Sequence, residues 1–191
     1  FMGQGMCAGI RDASNLAWKI SICSKKGHSE NLLNSYQSER FSNVRDYINT
    51  AMKMGELLNS IGGSEVSDTV FVQPDGTIKM NTIKPQLGKG LGECEDINRG
   101  KIFPSFKSDF GRDIDNIFAC DPILITNKKI NKKELRIKSY NCSDIPGMEV
   151  ILKKFKTNTL IIRPDRFILA STQKNDLLKF TNTCLNQIYS L

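Results

Sequence analysis

The chain has 191 residues, 39% of them hydrophobic and 25% charged, which suffices for one ordinary domain or two small ones with a real core. No apolar run is long enough to cross a bilayer, and Cys7, Cys23, Cys94, Cys120, Cys142 and Cys184 form no CxxC pair and have no histidine cluster beside them, so neither a membrane span nor a metal site is expected. The net charge of +7 admits an acidic partner, but the densest lysine group, Lys128, Lys129, Lys132 and Lys133, has no interleaved aromatic residues; a solvated face is expected rather than a nucleic-acid site.

The chain opens on FMGQGMCAGIRDASNLAWKI, a glycine-rich turn that runs into a helix. From Met6 to about Cys23 the spacing of Ile10, Ala13, Ala17 and Ile20, flanked by Leu16 and Cys23, predicts a helix with that face buried, ended by Lys25, Lys26 and Gly27. Leu32, Tyr36, Val44, Ile48, Met52 (or Ala51) and Leu58 predict a second helix over 31–61, broken or kinked near Phe41 and Ser42 and closed by Gly62 and Gly63. Residues 64–101 lack a helical period and read as an extended connection, with a hairpin in VFVQPDGTIKM around Asp75-Gly76. After Ile102 the pattern alternates. A strand is predicted over 122–126, a helix over 146–155 with Met148, Ile151, Leu152 and Phe155 on one side, two strands around Arg163-Pro164-Asp165-Arg166, and a final helix through Leu177, Thr181, Cys184 and Ile188. That succession predicts a small α/β layer domain at the C-terminal end.

Glycines at a helix start let another group approach the backbone, and the first turn leaves several N–H groups without partners inside the helix. Such a turn suits an anion, yet there is neither a GxxxxGK[ST] loop nor a GxGxxG following a strand. The whole segment is more specific than its glycines. Gly3, Gly5, Gly9, Ile10, Asp12, Ala13, Asn15, Leu16, Ala17, Trp18 and Lys19 fit the pattern GxGxNxGIxDAxNLAWKL, with Cys7 where the pattern has Asn. LLNSYQSER fits LLxxYxxER through Leu32, Leu33, Tyr36, Glu39 and Arg40, and GKIFPSF and TLIIRPDRFILAS add two further segments. Together they resemble the flavin-dependent aromatic hydroxylases, the family of p-hydroxybenzoate hydroxylase and phenol hydroxylase.

The resemblance implies an α/β fragment. Residues 1–63 would be the C-terminal helices of an FAD-binding, glutathione-reductase-like domain, 64–101 an extended connection, and 102–191 a thioredoxin-like domain without redox cysteines. It implies FAD as cofactor, NAD(P)H as reductant, a small aromatic substrate and a monooxygenase reaction in which the flavin carries the chemistry. Gly3, Gln4, Gly5, Met6 and Cys7 would face the flavin, with backbone N–H groups of Met6 and Cys7 toward its C2 carbonyl; Asp12 and Asn15 would support the loop. No catalytic side chain is assigned, and His28, the one histidine, lies in a polar turn. Trp18 is expected as a packing residue, Glu39 with Arg40 as an ion pair, and Arg163 with Asp165 as a turn-stabilising pair. The family's nucleotide-binding unit has no counterpart in these residues, so a fragment inactive alone is expected. Free thiols and the lack of a signal-peptide pattern point to the cytoplasm. A homo-oligomer is compatible with this reading; the rival expectation is a non-enzymatic interaction or dimerisation module.

Overall fold

The computed structural model describes residues 4–27, 29–59, 70–72, 78–80, 85–92, 95–105 and 121–189. Two long helices come first, α1 (Gln4–Lys26) and α2 (Glu30–Asn59). Gly27 joins them at φ +98°, its N–H donating to Cys23 O at 3.1 Å, the left-handed glycine stop that a helix end favours. Ser29 then starts α2, its Oγ accepting from Leu32 N at 3.3 Å. Strands β1 (Val70–Val72) and β2 (Ile78–Met80) pair antiparallel, as the expected hairpin requires; its Asp75-Gly76 turn, like Gly62 and Gly63, lies outside the described residues.

The rest is built on a four-stranded sheet. Strands β3 (Ile123–Thr126), β4 (Lys138–Asn141), β5 (Thr159–Ile162) and β6 (Ile168–Thr172) lie in the order β4-β3-β5-β6. β3 runs parallel to β4 and antiparallel to β5, and β5 and β6 form a hairpin with an irregularity at Ile161/Ile162. Helix α3 (Met148–Lys154) covers one face and α4 (Leu177–Tyr189) the other. β4 is absent from the expected elements because Lys138, Ser139 and Tyr140 carry no apolar alternation; its place at the sheet edge, paired with β3 alone, asks for none.

β3 and β5 are buried along their whole length, since both sheet faces are covered. Leu124 and Ile161 face one core with Leu169, Cys184, Leu185 and Ile188, whereas Ile123, Ile125, Leu160 and Ile162 face the other with Met148, Leu152 and Phe103. The first core also takes Trp18, Ile22 and Leu32, so the helical hairpin and the sheet share one apolar interior.

Two expectations about the helices are corrected. α2 runs unbroken past Phe41 and Ser42. The stripe Ile10, Ala13, Ala17 and Ile20 is the exposed face of α1, with Ile10 61% and Ile20 52% accessible; the buried face is Asn15, Trp18, Lys19 and Ile22. On α2, likewise, Leu32 is buried but Ile48 and Met52 are exposed, and Ser35, Glu39, Arg40, Asn43 and Tyr47 take the interior. The period is helical in both cases. The buried side is chosen by polar partners on other elements, which a count of apolar residues cannot register.

The connection before the sheet is pinned to α2. Gly88 N donates to Glu39 O at 2.8 Å, and Leu91 N donates to Glu39 Oε1 at 3.0 Å. A Cβ on Gly90 would overlap the Glu39 side chain, 2.7 Å from Oε1, which is why glycine stands there. Gly90→Ala is expected to destabilise the chain by about 1–3 kcal/mol, as overpacking does, read by chemical denaturation; an unchanged midpoint would refute this close contact.

Candidate functional site

Of the residues expected to face a flavin, Gly3 lies outside the described residues, while Gln4, Gly5 and Met6 form the first turn of α1. Met6 is 73% exposed, Cys7 is half-buried, and a Cβ built on Gly5 or Gly9 would meet nothing within 4 Å. Among the described residues nothing stands over this turn at Gly5 or over Gly9 beyond it. No residue from 5 to 14 is buried.

Among the described residues Asp12 and Asn15 make no bond to the turn; they reach across to other elements. Asp12 Oδ1 accepts from Arg40 Nε at 2.6 Å, and Arg40 Nη1 donates to Asn43 Oδ1 at 3.0 Å. The Asn15 amide donates to Glu39 Oε2 at 3.1 Å and to Asp165 Oδ2 at 3.0 Å, the second partner 150 residues along the chain. Just beyond, Arg11 lays its guanidinium 5.0 Å from the Tyr47 ring centre, with Nε and Nη2 buried and lacking a hydrogen-bond acceptor among the described residues.

Glu39 is the centre of this polar interior. Its fully buried carboxylate accepts from Asn15, from Lys19 Nζ at 2.8 Å, from Leu91 N, and from Arg163 through Nη1 at 2.7 Å and Nη2 at 2.9 Å. Arg163, from the β5–β6 turn, also donates to both oxygens of Asp165, through Nε at 3.0 Å and Nη2 at 2.6 Å. Lys19 completes its set on Ser35 Oγ at 2.7 Å. The four ionic groups sum to zero charge, which makes their burial tolerable. The expected Glu39–Arg40 pair is thus corrected: these neighbours point apart, Glu39 to Lys19 and Arg163, Arg40 to Asp12. The Arg163–Asp165 pair is present, and it serves a wider cluster than its own turn. Trp18 packs in the core as expected, and the Arg163 guanidinium lies 5.0 Å from its ring centre.

Burial opposes the charged form of each group, and the partners decide the balance. For Glu39, burial raises the pKa, but Arg163 and then Lys19 outweigh it and bring it down to about 2. For Lys19, burial is the largest effect and Arg163 adds to it, so the pKa falls to about 8 despite Glu39. Arg163 is raised by Asp165 and Glu39 against its own burial.

Two features set apart the chemistry available here. The charged cluster balances its own charge, so it holds structure; the first turn of α1 has N–H groups without partners inside the helix, the kind of donor that suits a ligand. Among the described residues no group of His, Cys, Asp or Glu is arranged to hold a metal ion, and no helix is long and apolar enough to cross a membrane.

Comparison with known proteins bears on that turn directly. Residues 1–51 match the FAD binding domain family model. Over 57 residues the chain is 46% identical to a probable NADH-specific resorcinol 4-hydroxylase of Rhodococcus jostii, covering 30% of this chain and 11% of that protein. Over 74 residues it is 38% identical to a 3-(3-hydroxy-phenyl)propionate/3-hydroxycinnamic acid hydroxylase of Comamonas testosteroni, covering 38% of this chain and 13% of that one. The fold is also similar to part of a solved aklavinone-11 hydroxylase in complex with FAD and aklavinone, with a TM-score of 0.60 at 12% identity over 96% of this chain and 40% of that one. The chain therefore spans well under half the length of the proteins it matches. The resemblance to FAD-dependent aromatic hydroxylases holds by sequence at the N-terminal end and by fold along nearly the whole chain.

The Glu39 cluster carries a pH signature. A carboxyl held at about 2 in the folded chain and near 4.5 when unfolded adds stability that is complete above about pH 4.5 and is lost as pH falls toward 2. Glu39→Gln, which leaves Arg163 and Lys19 short of a buried counter-charge, is expected to cost about 3–5 kcal/mol at neutral pH and to flatten the acid limb of a stability-against-pH curve. Lys19 acts on the alkaline side with the same sign of slope: its folded value of about 8 lies below its unfolded value, so its contribution rises between about pH 8 and 10.5, and Lys19→Met should remove that rise.

Proposed function

We propose that the chain supplies the isoalloxazine-facing helix and the C-terminal domain of an FAD-dependent monooxygenase that hydroxylates a small phenolic compound, with NADH or NADPH as reductant. The observation that carries this reading is the match of residues 1–51 to an FAD binding domain, together with an α1 first turn whose backbone is open to an incoming group. The flavin, when bound, supplies the redox and oxygen chemistry. The chain's own part is electrostatic: N–H groups of Gln4, Gly5, Met6 and Cys7, with Gly3 before them, would stand at the positive end of α1 toward the pyrimidine edge of the ring, where negative charge collects on reduction. In a helix that begins at Gln4, the N–H groups of Gln4, Gly5 and Met6 lack partners within the helix, and Cys7 stands one position further in. Asp12 and Asn15 would support this turn through Arg40, Glu39 and Asp165.

The division into 1–63, 64–101 and 102–191 belongs to this proposal, as does a thioredoxin-like reading of the C-terminal part. The sheet order β4-β3-β5-β6, with one parallel pair followed by two antiparallel ones and helices on both faces, supports it. Exposed Met6, Ile10 and Ile20 on α1, beside buried Arg11 and Arg40 nitrogens without acceptors among the described residues, support further polypeptide or ligand against this face. The same exposed stripe is what an interaction module would present, and self-association without flavin would favour that reading.

Titration of the 191-residue chain with FAD is expected to give weak binding or none, because α1 offers one wall of a pocket; tight stoichiometric binding would overturn the partial-site reading. Residues 1–59 grafted in place of the matching segment of the Comamonas testosteroni hydroxylase should retain FAD. Within that graft Cys7→Asn should leave affinity within about twofold, since backbone groups do the binding. A folded graft that loses FAD would overturn the proposed role of α1.

A further inference from the structure

Among the described residues the N-terminal half of α1 has no fully buried apolar side chain. Between residues 5 and 14 no residue is fully buried, Met6 and Ile10 are exposed, and the first buried apolar side chain is Trp18, more than three turns into the helix. Its direction is therefore set by polar contacts. These are the Asp12–Arg40 ion pair, the Arg11 contact with Tyr47, and the Asn15 amide, which bridges Glu39 on α2 to Asp165 on the β5–β6 turn. Asp165 and Glu39 are themselves held by one side chain, Arg163, whose guanidinium donates to all four of their carboxylate oxygens. A lysine has no planar fork and could not span both carboxylates.

We infer that Arg163, acting through Asp165, Glu39 and Asn15, is a positioning residue that sets the N-terminal half of α1 from the C-terminal sheet. The sheet unit then does more than add stability: it holds the helix whose first turn would face the flavin. The inference rests on the proposed function only for what that turn faces; the mechanical link is a property of the chain itself. The geometry is specific. Arg163 directly follows β5 and opens the tight turn to β6, closed by Arg166 N donating to Arg163 O at 3.0 Å, and Arg163 N donates to Phe167 O at 2.9 Å, so its backbone is held where the strand ladder ends. Lys19 and Ser35 close the far side of Glu39, and Leu91 N closes the near side, so the carboxylate has no second orientation in which it keeps its partners.

Amide hydrogen exchange on the 191-residue chain tests the link without flavin. Asn15→Ala removes the bridge while leaving Arg163, Asp165 and Glu39 paired. Exchange across residues 8–14 should speed up about tenfold, the size expected for losing hydrogen bonds to charged groups, with β5 and β6 at wild-type rates. Arg163→Lys should give the same local acceleration although the charge is kept, and it should change the fluorescence of Trp18, the one tryptophan, which lies against the guanidinium. If Asn15→Ala leaves residues 8–14 at wild-type rates, or speeds helix and sheet equally, the positioning role is overturned. Should Arg163→Lys fail to fold, the Asn15→Ala result alone decides. A chain that passes this test yet confers no FAD binding in the graft would keep the positioning role and lose the flavin reading.

Discussion

The structure depends on one buried carboxylate. Glu39 lies in the middle of α2 with no solvent contact, and the groups that neutralise it come from α1, from the glycine-rich connection and from the β5–β6 turn. A bare carboxylate in that position would be prohibitive to bury. Each of those elements must therefore arrive in place for any of them to be stable there, and the apolar contacts of Trp18, Ile22 and Leu32 with the sheet are made around a polar centre that admits one arrangement. Hydrophobic burial supplies the bulk of the stabilisation, whereas the ionic cluster selects the register in which it is made.

This division of labour explains an unusual distribution of polarity in the helical hairpin. α1 buries Lys19 and Asn15 and exposes Ile10 and Ile20; α2 buries Glu39, Arg40 and Asn43 and exposes Phe41, Ile48 and Met52. In an isolated two-helix unit that would be inverted. With the buried side committed to the sheet and its charges, the apolar residues on the outer side are available to other structure, and α1's first turn is left open at the edge of that outer side. The architecture thus separates a charge-balanced interior, which holds the helix, from the helix edge proposed to meet a ligand.

The sheet was legible in the sequence where burial is two-sided. β3, β5 and β6 are runs of Ile and Leu whose order and intervening turn can be seen in ILIT, TLII and ILAST, and Gly27 marks a helix end by its own chemistry. β4 was not legible, because an edge strand needs no apolar pattern. The candidate flavin turn was legible as a motif, since glycines and their neighbours are local. The cluster behind it was not: Asn15, Lys19, Glu39, Arg163 and Asp165 each stand inside a recognisable segment, yet nothing local says that three segments up to 150 residues apart converge on one carboxylate. Adjacency even suggested the wrong pairing, Glu39 with Arg40. On a helix, neighbouring residues project about 100° apart and cannot share a partner face.

What the sequence by itself determined is local: the helices, the Gly27 end of the first, the inner strands, and the resemblance the glycine-rich segment carries. Which face of each helix turns inward, which charges pair, and how the C-terminal sheet comes to hold α1 were decided by the tertiary structure alone. The physical reason is that periodicity constrains a helix to have faces but assigns none of them to the interior. That choice is made by the partners, and here the partners of α1 are a carboxylate on the next helix and an arginine where a distant hairpin begins its turn.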